Sequence, residues 1–297
     1  MKKVKIITDS CSDLTVELME KYDIDYVKMS TIYEGVESPA LLSWTADDVH
    51  KFYDILRTGK RITTAQVSVD EFTTVFTKWL EQDYDIVYIG CALKQSGSVN
   101  TGFVTSKQLV EKFPESKIYC IDSQNACIGL GLLAIEASKF AAQGKSADEV
   151  NEYVLSMRKQ INEFVTVHSL DSLKRAGRVK ASAAFFGNLM GVKPILIADA
   201  QGNQAAFKKV KGRQNSFKEI VSLMKEAIIN PENQTIYLAH ADCSETEVNQ
   251  LIELIKAEIP CKEIYTSYIG PIIGASVGPD TIGIWAIGKE VTFGSGE

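Results

Sequence analysis

The sequence is poor in the residues and motifs that indicate a metal enzyme, a nucleotide-binding enzyme or a serine hydrolase. It has three histidines that stand far apart and six cysteines without any C-x-x-C spacing. Neither a zinc site nor a disulfide framework is therefore expected. No G-x-x-x-x-G-K-[ST] loop occurs, which argues against a P-loop nucleotide site. No histidine lies near the serines of residues 96–98 in the sequence, which argues against a serine nucleophile there. We expect neither a metal nor a cofactor.

Long apolar runs and an excess of positive charge are missing as well. No stretch approaches the roughly 18 apolar residues of a membrane-spanning helix. The start "MKKVKIITDS" lacks the apolar run of a signal peptide. The net charge of −6 argues against nucleic acid or an anionic membrane as the main partner. We therefore expect a cytoplasmic protein without integral membrane contact and without a nucleic acid partner.

The first half of the 297-residue chain alternates short apolar strands with amphipathic helices. This pattern is typical of a Rossmann-like parallel sheet with helices on both faces. Ser12, Thr45 and Ser68 are predicted to cap three of the helices, and Glu71 is predicted to complete a capping box with Ser68. The predicted strands are KVKIITDS, DYVKM, DIVYIGCA and KIYCID, and further helices are predicted near 98–113, 128–143 and 146–161.

The pattern changes after about residue 162, where strands dominate. A hairpin turn in "ADAQGNQ" indicates antiparallel pairing, so the second sheet is predicted to be mixed. The predicted strands are FVTVHSL, KPILIAD, NQAAFKKV, TIYLAHA, EIYTSYI and TIGIWAIG, and the helices lie near 181–191, 213–229 and 244–258. We expect an N-terminal α/β domain over residues 1–162 and a C-terminal mixed α/β domain over residues 163–297.

Two loops of the first domain have the composition of a small anion site. Asp9 and Ser10 follow the first strand, and Ser96-Gly97-Ser98 lies between a buried strand and a helix. Ligands of open α/β sheets gather beyond the carboxyl ends of the strands, and the free N–H groups at a helix start bind anions. Helix capping explains both loops equally well, so these residues alone leave the ligand open.

Two stretches of the second domain also suggest a surface for a ligand or a partner. "IGPIIGASVGPDTIGI", at 269–284, has four glycines, a density that predicts close approach of a ligand or a neighbouring strand to the main chain. "FKKVKGRQ" is a basic run that is either a solvated strand edge or a docking patch.

Several of these stretches resemble the motifs of the DegV family. "KIITDSCSDL" resembles the family's opening, "TTAQVS" is similar to its T-S-Q-P-S loop, and "SGSVNTG" is similar to its S-G-T-x-x-S-A loop. "LDSLKRAGRV" resembles L-x-x-L-x-x-G-G-R-I, "GVKPIL" resembles (I/V)-K-P-(I/L)-L, and the glycine-rich stretch resembles I-G-P-V-I-G-A-H-V-G-P-G-x-(I/L/A)-G. The resemblance covers the chain from end to end, in the family's order.

The resemblance implies a bacterial lipid-binding protein that is not an enzyme and that holds one long-chain fatty acid between its domains. It also implies that the carboxylate is presented to a separate fatty acid kinase related to dihydroxyacetone kinases, for phospholipid synthesis. The family's carboxylate contacts fall on Thr64, Ser96 and Ser276. Ser276 replaces the family's histidine, and its hydroxyl is shorter and cannot carry positive charge.

These patterns and the resemblance together give three sets of candidate residues. The residues expected to bind the ligand are Thr64, Ser96, Gly97, Ser98, Ser276, Gly274, Asp9, Ser10 and Arg178. The side chains expected to line the tail are Phe185, Phe186, Leu189 and Ile272. The kinase is expected to dock at Lys209, Lys211 and Arg213. Two alternatives stay open: an enzyme acting on a small anionic substrate at the Asp9, Ser10 and Ser96 loops, and a carrier of a different amphiphile.

Overall fold

The computed structural model describes residues 2–169, 173, 176–180 and 191–294. The chain divides into two compact units, one formed by Met1–Ser43 and Thr64–Lys159 and the other by Trp44–Thr63 and Gln160–Glu297. Residues 44–63 therefore group with the second unit, although the predicted N-terminal domain over 1–162 contains them. The reason lies in side-chain packing, because Tyr53 is fully buried and its hydroxyl donates to the carbonyl of Ile269 at 2.7 Å.

The first unit contains a four-stranded parallel sheet with the strand order β2-β1-β6-β7 and a three-stranded sheet with the order β4-β3-β5. The strands are β1 (Lys3–Asp9), β2 (Ile24–Val27), β3 (Ser30–Tyr33), β4 (Val36–Pro39), β5 (Thr63–Ala65, whose first residue belongs to the second unit), β6 (Tyr84–Gly90) and β7 (Ile118–Asp122). The helices of this part of the chain are α1 (Val16–Lys21), α2 (Ala46–Arg57), α3 (Val69–Leu80), α4 (Ser98–Lys112), α5 (Cys127–Ala141) and α6 (Ala147–Met157). Helix α2 belongs to the second unit.

Apolar runs form the centre of the parallel sheet, as the sequence predicts. Ile6 and Ile7 of β1 and the segment 86–89 of β6 are buried, which is typical of strands covered on both faces. Helices α3 and α4 pack against each other, as do α5 and α6, and both pairs contact this sheet. The predicted Rossmann-like parallel sheet is confirmed.

Helix capping agrees with the sequence at two of three predicted positions. Thr45 and Ser68 are the N-caps of α2 and α3. The prediction for Ser12 is wrong, because α1 begins later and Thr15 caps it. The predicted capping box at Ser68 is also wrong, because the Glu71 carboxylate accepts from Lys28 instead, from its backbone N–H at 3.0 Å and its ammonium at 3.3 Å.

The second unit contains a seven-stranded mixed sheet with the order β13-β12-β14-β8-β10-β11-β9. Its strands are β8 (Ile161–Thr166), β9 (Val179–Lys180), β10 (Val192–Ala198), β11 (Gln204–Lys211), β12 (Thr235–His240), β13 (Glu263–Tyr268) and β14 (Ile282–Ile287). Its remaining described helices are α7 (Arg213–Ala227), α8 (Glu245–Glu258) and α9 (Pro271–Val277). The hairpin predicted at "ADAQGNQ" is confirmed, because β10 and β11 pair antiparallel with Ala198 opposite Gln204.

The mixed sheet buries apolar side chains against α7 and α8. Phe164, Ile282 and Ile284 belong to this core, together with Phe217 of α7 and Leu251 of α8. Residues alternate between the faces of a strand, so the intervening residues of β8 and β14 lie on the other face. That second face is buried too, and it includes a carboxylate, Glu163.

Candidate functional site

Asp9 lies at the carboxyl end of β1 and ties this strand to β6. Its carboxylate accepts hydrogen bonds from the N–H groups of Cys11 and Cys91 and from the Tyr88 hydroxyl, each at 2.9 Å. Burial raises the pKa of the Asp9 carboxyl, and the hydrogen bonds from the two N–H groups and Tyr88 offset part of that rise. The side chain is fully buried, so Asp9 stabilises the strand ends.

Ser10 has a comparable internal role. Its hydroxyl donates to the carbonyl of Ala40 at 2.7 Å and accepts from the N–H of Met29 at 3.0 Å. The hydroxyl proton is therefore hydrogen-bonded within the same unit, and the side chain is buried. Asp9 and Ser10 were both expected to bind the ligand, and the structure gives each of them structural partners.

The two loops that follow β5 and β6 contact each other through Ser98. The Ser98 hydroxyl accepts from the N–H of Val67 at 3.2 Å and lies 3.0 Å from the Ser96 hydroxyl. Ser98 is buried, so it holds the loops in register. Ser96 in turn accepts from the N–H of Ser98 at 3.2 Å, which satisfies one of the free N–H groups at the start of α4.

Gly97 leaves room for the side chain of Gln66 from the neighbouring loop. A Cβ on Gly97 would overlap the side-chain oxygen of Gln66, and the amide nitrogen of Gln66 donates to the Thr101 hydroxyl at 2.8 Å. A larger residue at position 97 would therefore displace the end of the Gln66 side chain.

The candidate hydroxyl residues at these loops that are not fully buried are Thr64 and Ser96, and the Ser96 hydroxyl also contacts Ser98. Both residues are half-buried. Gly97 is the N-cap of α4 and has no side chain to accept from the helix start. Hydroxyl groups that can rotate, beside a helix N-terminus, can donate hydrogen bonds to one anionic group such as a carboxylate.

Ser276 and Gly274 lie on α9 of the second unit, a short helix that begins at Pro271 and that the sequence did not predict. A Cβ on Gly274 would overlap the Tyr53 hydroxyl and lie 3.1 Å from a ring carbon of Phe52. Gly274 therefore lets α9 pack on α2. Gly274 was expected to bind the ligand, and the structure places side chains of its own unit against it. Ser276 is half-buried, and its role as a carboxylate contact stays a prediction.

The other candidates differ in accessibility. Arg178 is exposed and donates to the carbonyl of Ala176 at 2.6 Å. Ile272 is buried. Phe185, Phe186 and Leu189, expected to line the tail, lie outside the described residues.

The three docking candidates are not equivalent. Lys209 and Lys211 are exposed on β11. Arg213 pairs with Glu247 at 2.9 Å and donates to the carbonyl of Asp280 at 2.7 Å. Its side chain is only 13% exposed, so Arg213 stabilises the second unit and does not present its charge to a partner.

No group of three His, Cys, Asp or Glu side chains in the described part of the chain is arranged to hold a metal ion. None of the described helices combines the length and the apolarity needed to cross a membrane.

Comparison with known proteins identifies relatives over nearly the whole chain. The model of a family described as "Uncharacterised protein, DegV family COG1307" matches residues 3–289. A DegV domain-containing protein of Clostridium perfringens is 34% identical over 294 residues, covering 97% of this chain and 98% of the relative.

Solved structures resemble the fold over a similar span. A DegV lipid-binding protein from Thermotoga maritima is 26% identical, with a TM-score of 0.83 and coverage of 98% of this chain and 100% of that one. A stearic acid-binding protein from Eubacterium ventriosum is 25% identical, with a TM-score of 0.84 and coverage of 97% and 99%.

Proposed function

Since the chain belongs to the DegV family, we propose that it binds one long-chain fatty acid and is not itself an enzyme. The observation that carries the proposal is the contact through Ser98 between the loop that follows β5 and the loop of Ser96, with Thr64 and Ser96 both half-buried. The similar structure from Eubacterium ventriosum, described as a stearic acid-binding protein, supports the same ligand class. Thr64 and Ser96 bind the carboxylate in this proposal.

The energetics assign different roles to the two ends of the ligand. Burying the tail of a sixteen-carbon acid yields on the order of 12 kcal/mol, at about 0.8 kcal/mol per methylene. Association consumes roughly 4–15 kcal/mol of that gain, and a hydrogen bond to a charged group adds only about 1.5–3 kcal/mol. Tail burial therefore determines the affinity, and the hydroxyls determine the orientation of the carboxylate.

The burial of Asp9 and Ser10 argues against the alternative of an enzyme for small anionic substrates. That alternative needs both side chains to contact the substrate, and both are buried and hydrogen-bonded to other groups of the protein. A carrier for a different amphiphile remains the other candidate, since hydroxyl loops would accept any carboxylate.

Freshly purified protein is expected to contain a fatty acid. Extraction with organic solvent followed by mass spectrometry identifies the ligand directly. Palmitate is then added back to the delipidated protein. A protein that carries no acyl chain and takes up none contradicts the proposal, and release of a different amphiphile contradicts the choice of ligand.

Thr64→Ala combined with Ser96→Ala is expected to weaken palmitate binding by about tenfold or more, since two hydrogen bonds to a charged group are lost. The matched control is Thr74→Ala with Ser156→Ala, whose hydroxyls bond to carbonyls of their own helices. The control should bind palmitate as the native protein does. Equal affinity of both double variants for palmitate would contradict the assignment of the carboxylate contacts.

We further propose that the bound acid is presented to a separate fatty acid kinase related to dihydroxyacetone kinases, which docks at Lys209 and Lys211. Both lysines are exposed on one strand, and an exposed cationic pair steers an acidic partner. Arg213 is left out of the docking surface because of its contacts with Glu247 and Asp280.

Lys209→Glu with Lys211→Glu is expected to lower acyl phosphate formation by such a kinase about tenfold or more, because the reversed charges repel an acidic partner. Palmitate affinity should not change. Lys256→Glu with Lys262→Glu, both exposed, gives the same change in net charge at another place and should leave the rate unaltered. A rate that falls equally in both variants would show that only net charge matters.

A further inference from the structure

A cavity of about 600 Å³ lies at the amino end of the parallel sheet of the first unit. The starts of β1 and β6, the end of α1 and the connection between α5 and α6 form its walls. We call it the lysine groove, after the five lysines among its lining residues: Lys2, Lys3, Lys21, Lys139 and Lys145. Asp23 is the one carboxylate among those lining residues.

The carboxylates near the lysine groove do not cancel its charge. Asp23 already pairs with the buried ammonium of Lys5. Three of the groove lysines pair with carboxylates outside the lining, in the pairs Lys2–Asp83, Lys139–Glu136 and Lys145–Glu149. Lys3 and Lys21 form no ion pair with a described residue. The groove therefore keeps an excess of positive charge in a chain whose net charge is −6.

Apolar and aromatic groups line the same cavity. Val4, Ile6, Tyr22 and Tyr84 belong to its walls. The ammonium groups of Lys21 and Lys139 lie 5.3 Å and 5.4 Å from the centre of the Tyr22 ring. A ligand of the lysine groove thus meets cations and an aromatic surface side by side. Lysine ammoniums are compact charges that suit phosphate oxygens, and a ring of a ligand can stack on tyrosine.

We propose that the lysine groove binds a phosphate ester that carries an aromatic ring and has about the size of a nucleoside diphosphate. A cavity of about 600 Å³ lies within the usual range of roughly 300–1,000 Å³ for small-molecule sites. Its concave shape favours a small ligand over a flat membrane surface. A membrane that exposes phosphate head groups is the competing source of the same chemistry.

The lysine groove is a different site from the hydroxyl loops of the same unit. Its lining includes Lys3, Val4 and Ile6 of β1, and neither Thr64 nor Ser96 belongs to it. A ligand in the groove therefore leaves the fatty acid loops untouched, and the two proposals can fail independently.

The test is calorimetric titration of the full-length protein with ADP at low salt. Native protein should bind ADP, and Lys3→Gln with Lys21→Gln should weaken that binding by about tenfold or more, since two unpaired charges are removed. Raising the salt concentration should weaken the native complex too. Lys107→Gln with Lys112→Gln, both exposed on α4, is the matched control and should bind ADP normally. Both variants should retain their fatty acid content.

Three results would overturn the proposal. The first is an unchanged ADP affinity in the Lys3/Lys21 variant, which would place the nucleotide elsewhere. The second is pyrophosphate binding as tight as that of ADP, which would remove the role of the aromatic surface. The third is binding of phosphatidylglycerol vesicles without binding of ADP or pyrophosphate, which would make the groove lysines a membrane contact.

Discussion

Replacing Glu163 by glutamine is expected to stabilise the protein above neutral pH and to leave its stability unchanged in acid. Glu163 lies on β8 and is 4% exposed. Its carboxylate accepts hydrogen bonds from the Trp285 indole at 2.9 Å and from the Gln204 amide at 2.7 Å. Burial raises the pKa of Glu163 to about 7, and these two hydrogen bonds offset only part of the rise.

The sign of the effect follows from the raised pKa. Below the pKa of the unfolded chain, near 4.5, the carboxyl is protonated in both states and costs no stability. Between about pH 4.5 and pH 7 the unfolded chain has released its proton while the folded protein retains it, so the stability falls as the pH rises and levels off above about 7. At about 1.4 kcal/mol per pKa unit, the folded state is about 3–4 kcal/mol less stable above pH 7 than in acid.

Glutamine can replace the carboxyl without leaving a hydrogen-bond donor unpaired. Its side-chain oxygen can accept from the Trp285 indole. Its amide nitrogen can donate to the side-chain oxygen of Gln204 once the Gln204 amide group flips by half a turn. Urea unfolding of the full chain at about pH 5 and about pH 8.5 should show a gain for Glu163→Gln that is larger by about 2–3 kcal/mol at the higher pH. Glu253→Gln, whose carboxylate is 72% exposed, should show no such pH dependence. A gain that is the same at both pH values would contradict a raised pKa at Glu163.

Glu163 also illustrates what the sequence could and could not predict. The apolar runs predict most strands of the two larger sheets, because a strand buried on both faces is rich in apolar residues. The predicted strand FVTVHSL overlaps β8 only at residues 164–166, so Glu163 lies outside it. The partners of Glu163 come from β11 and β14, far along the chain. Strand order in the second sheet is needed to bring them together, and periodicity carries no information about strand order.

Weakly patterned elements were missed for a different reason. The residues of β4 are all exposed and those of β3 are half-buried, so neither strand shows the alternation that predicts a half-buried strand. Helix α9 contains Pro271 and Gly274, and both residue types argue against a helix when only local propensity is considered. Proline is nevertheless tolerated in the first turn, where its missing N–H would have no partner.

The candidate site was predicted more accurately in position than in role. The sequence placed Ser96 and Ser98 on one loop and Thr64 on another, and the structure shows that these loops contact each other through Ser98. Spacing alone could not tell which hydroxyl holds the loops and which remains available. That division depends on the position of Val67 on the neighbouring loop, since the N–H of Val67 donates a hydrogen bond to the Ser98 hydroxyl.

Gly274→Ala is expected to destabilise the protein by about 2–3 kcal/mol, because an added methyl in a close-packed contact forces side chains or backbone to move. The methyl would overlap the Tyr53 hydroxyl and lie 3.0 Å from the ring carbon that carries it. Tyr53 cannot simply rotate away, since it is fully buried and its hydroxyl donates to Ile269. The higher helix propensity of alanine recovers less than about 1 kcal/mol of the loss.

A double-mutant cycle with Tyr53→Phe identifies the contact responsible. Tyr53→Phe alone should cost about 1–2 kcal/mol, since it leaves the carbonyl of Ile269 without its donor. In the double variant the overlapping hydroxyl is gone, so the combined cost should be lower than the sum by about 1 kcal/mol or more. Ala275→Val, at a half-buried position of the same helix, is the control for added volume and should cost little.

Palmitate titration of the same variants separates the two explanations of the glycine-rich stretch. If Gly274 exists to let α9 pack on α2, Gly274→Ala lowers the unfolding free energy, and the variant that remains folded binds palmitate with nearly native affinity. If the glycine exists to admit a carboxylate, the variant unfolds normally and loses palmitate binding. The second result would refute the packing explanation, because the overlap with Tyr53 acts on stability whether or not a fatty acid is bound.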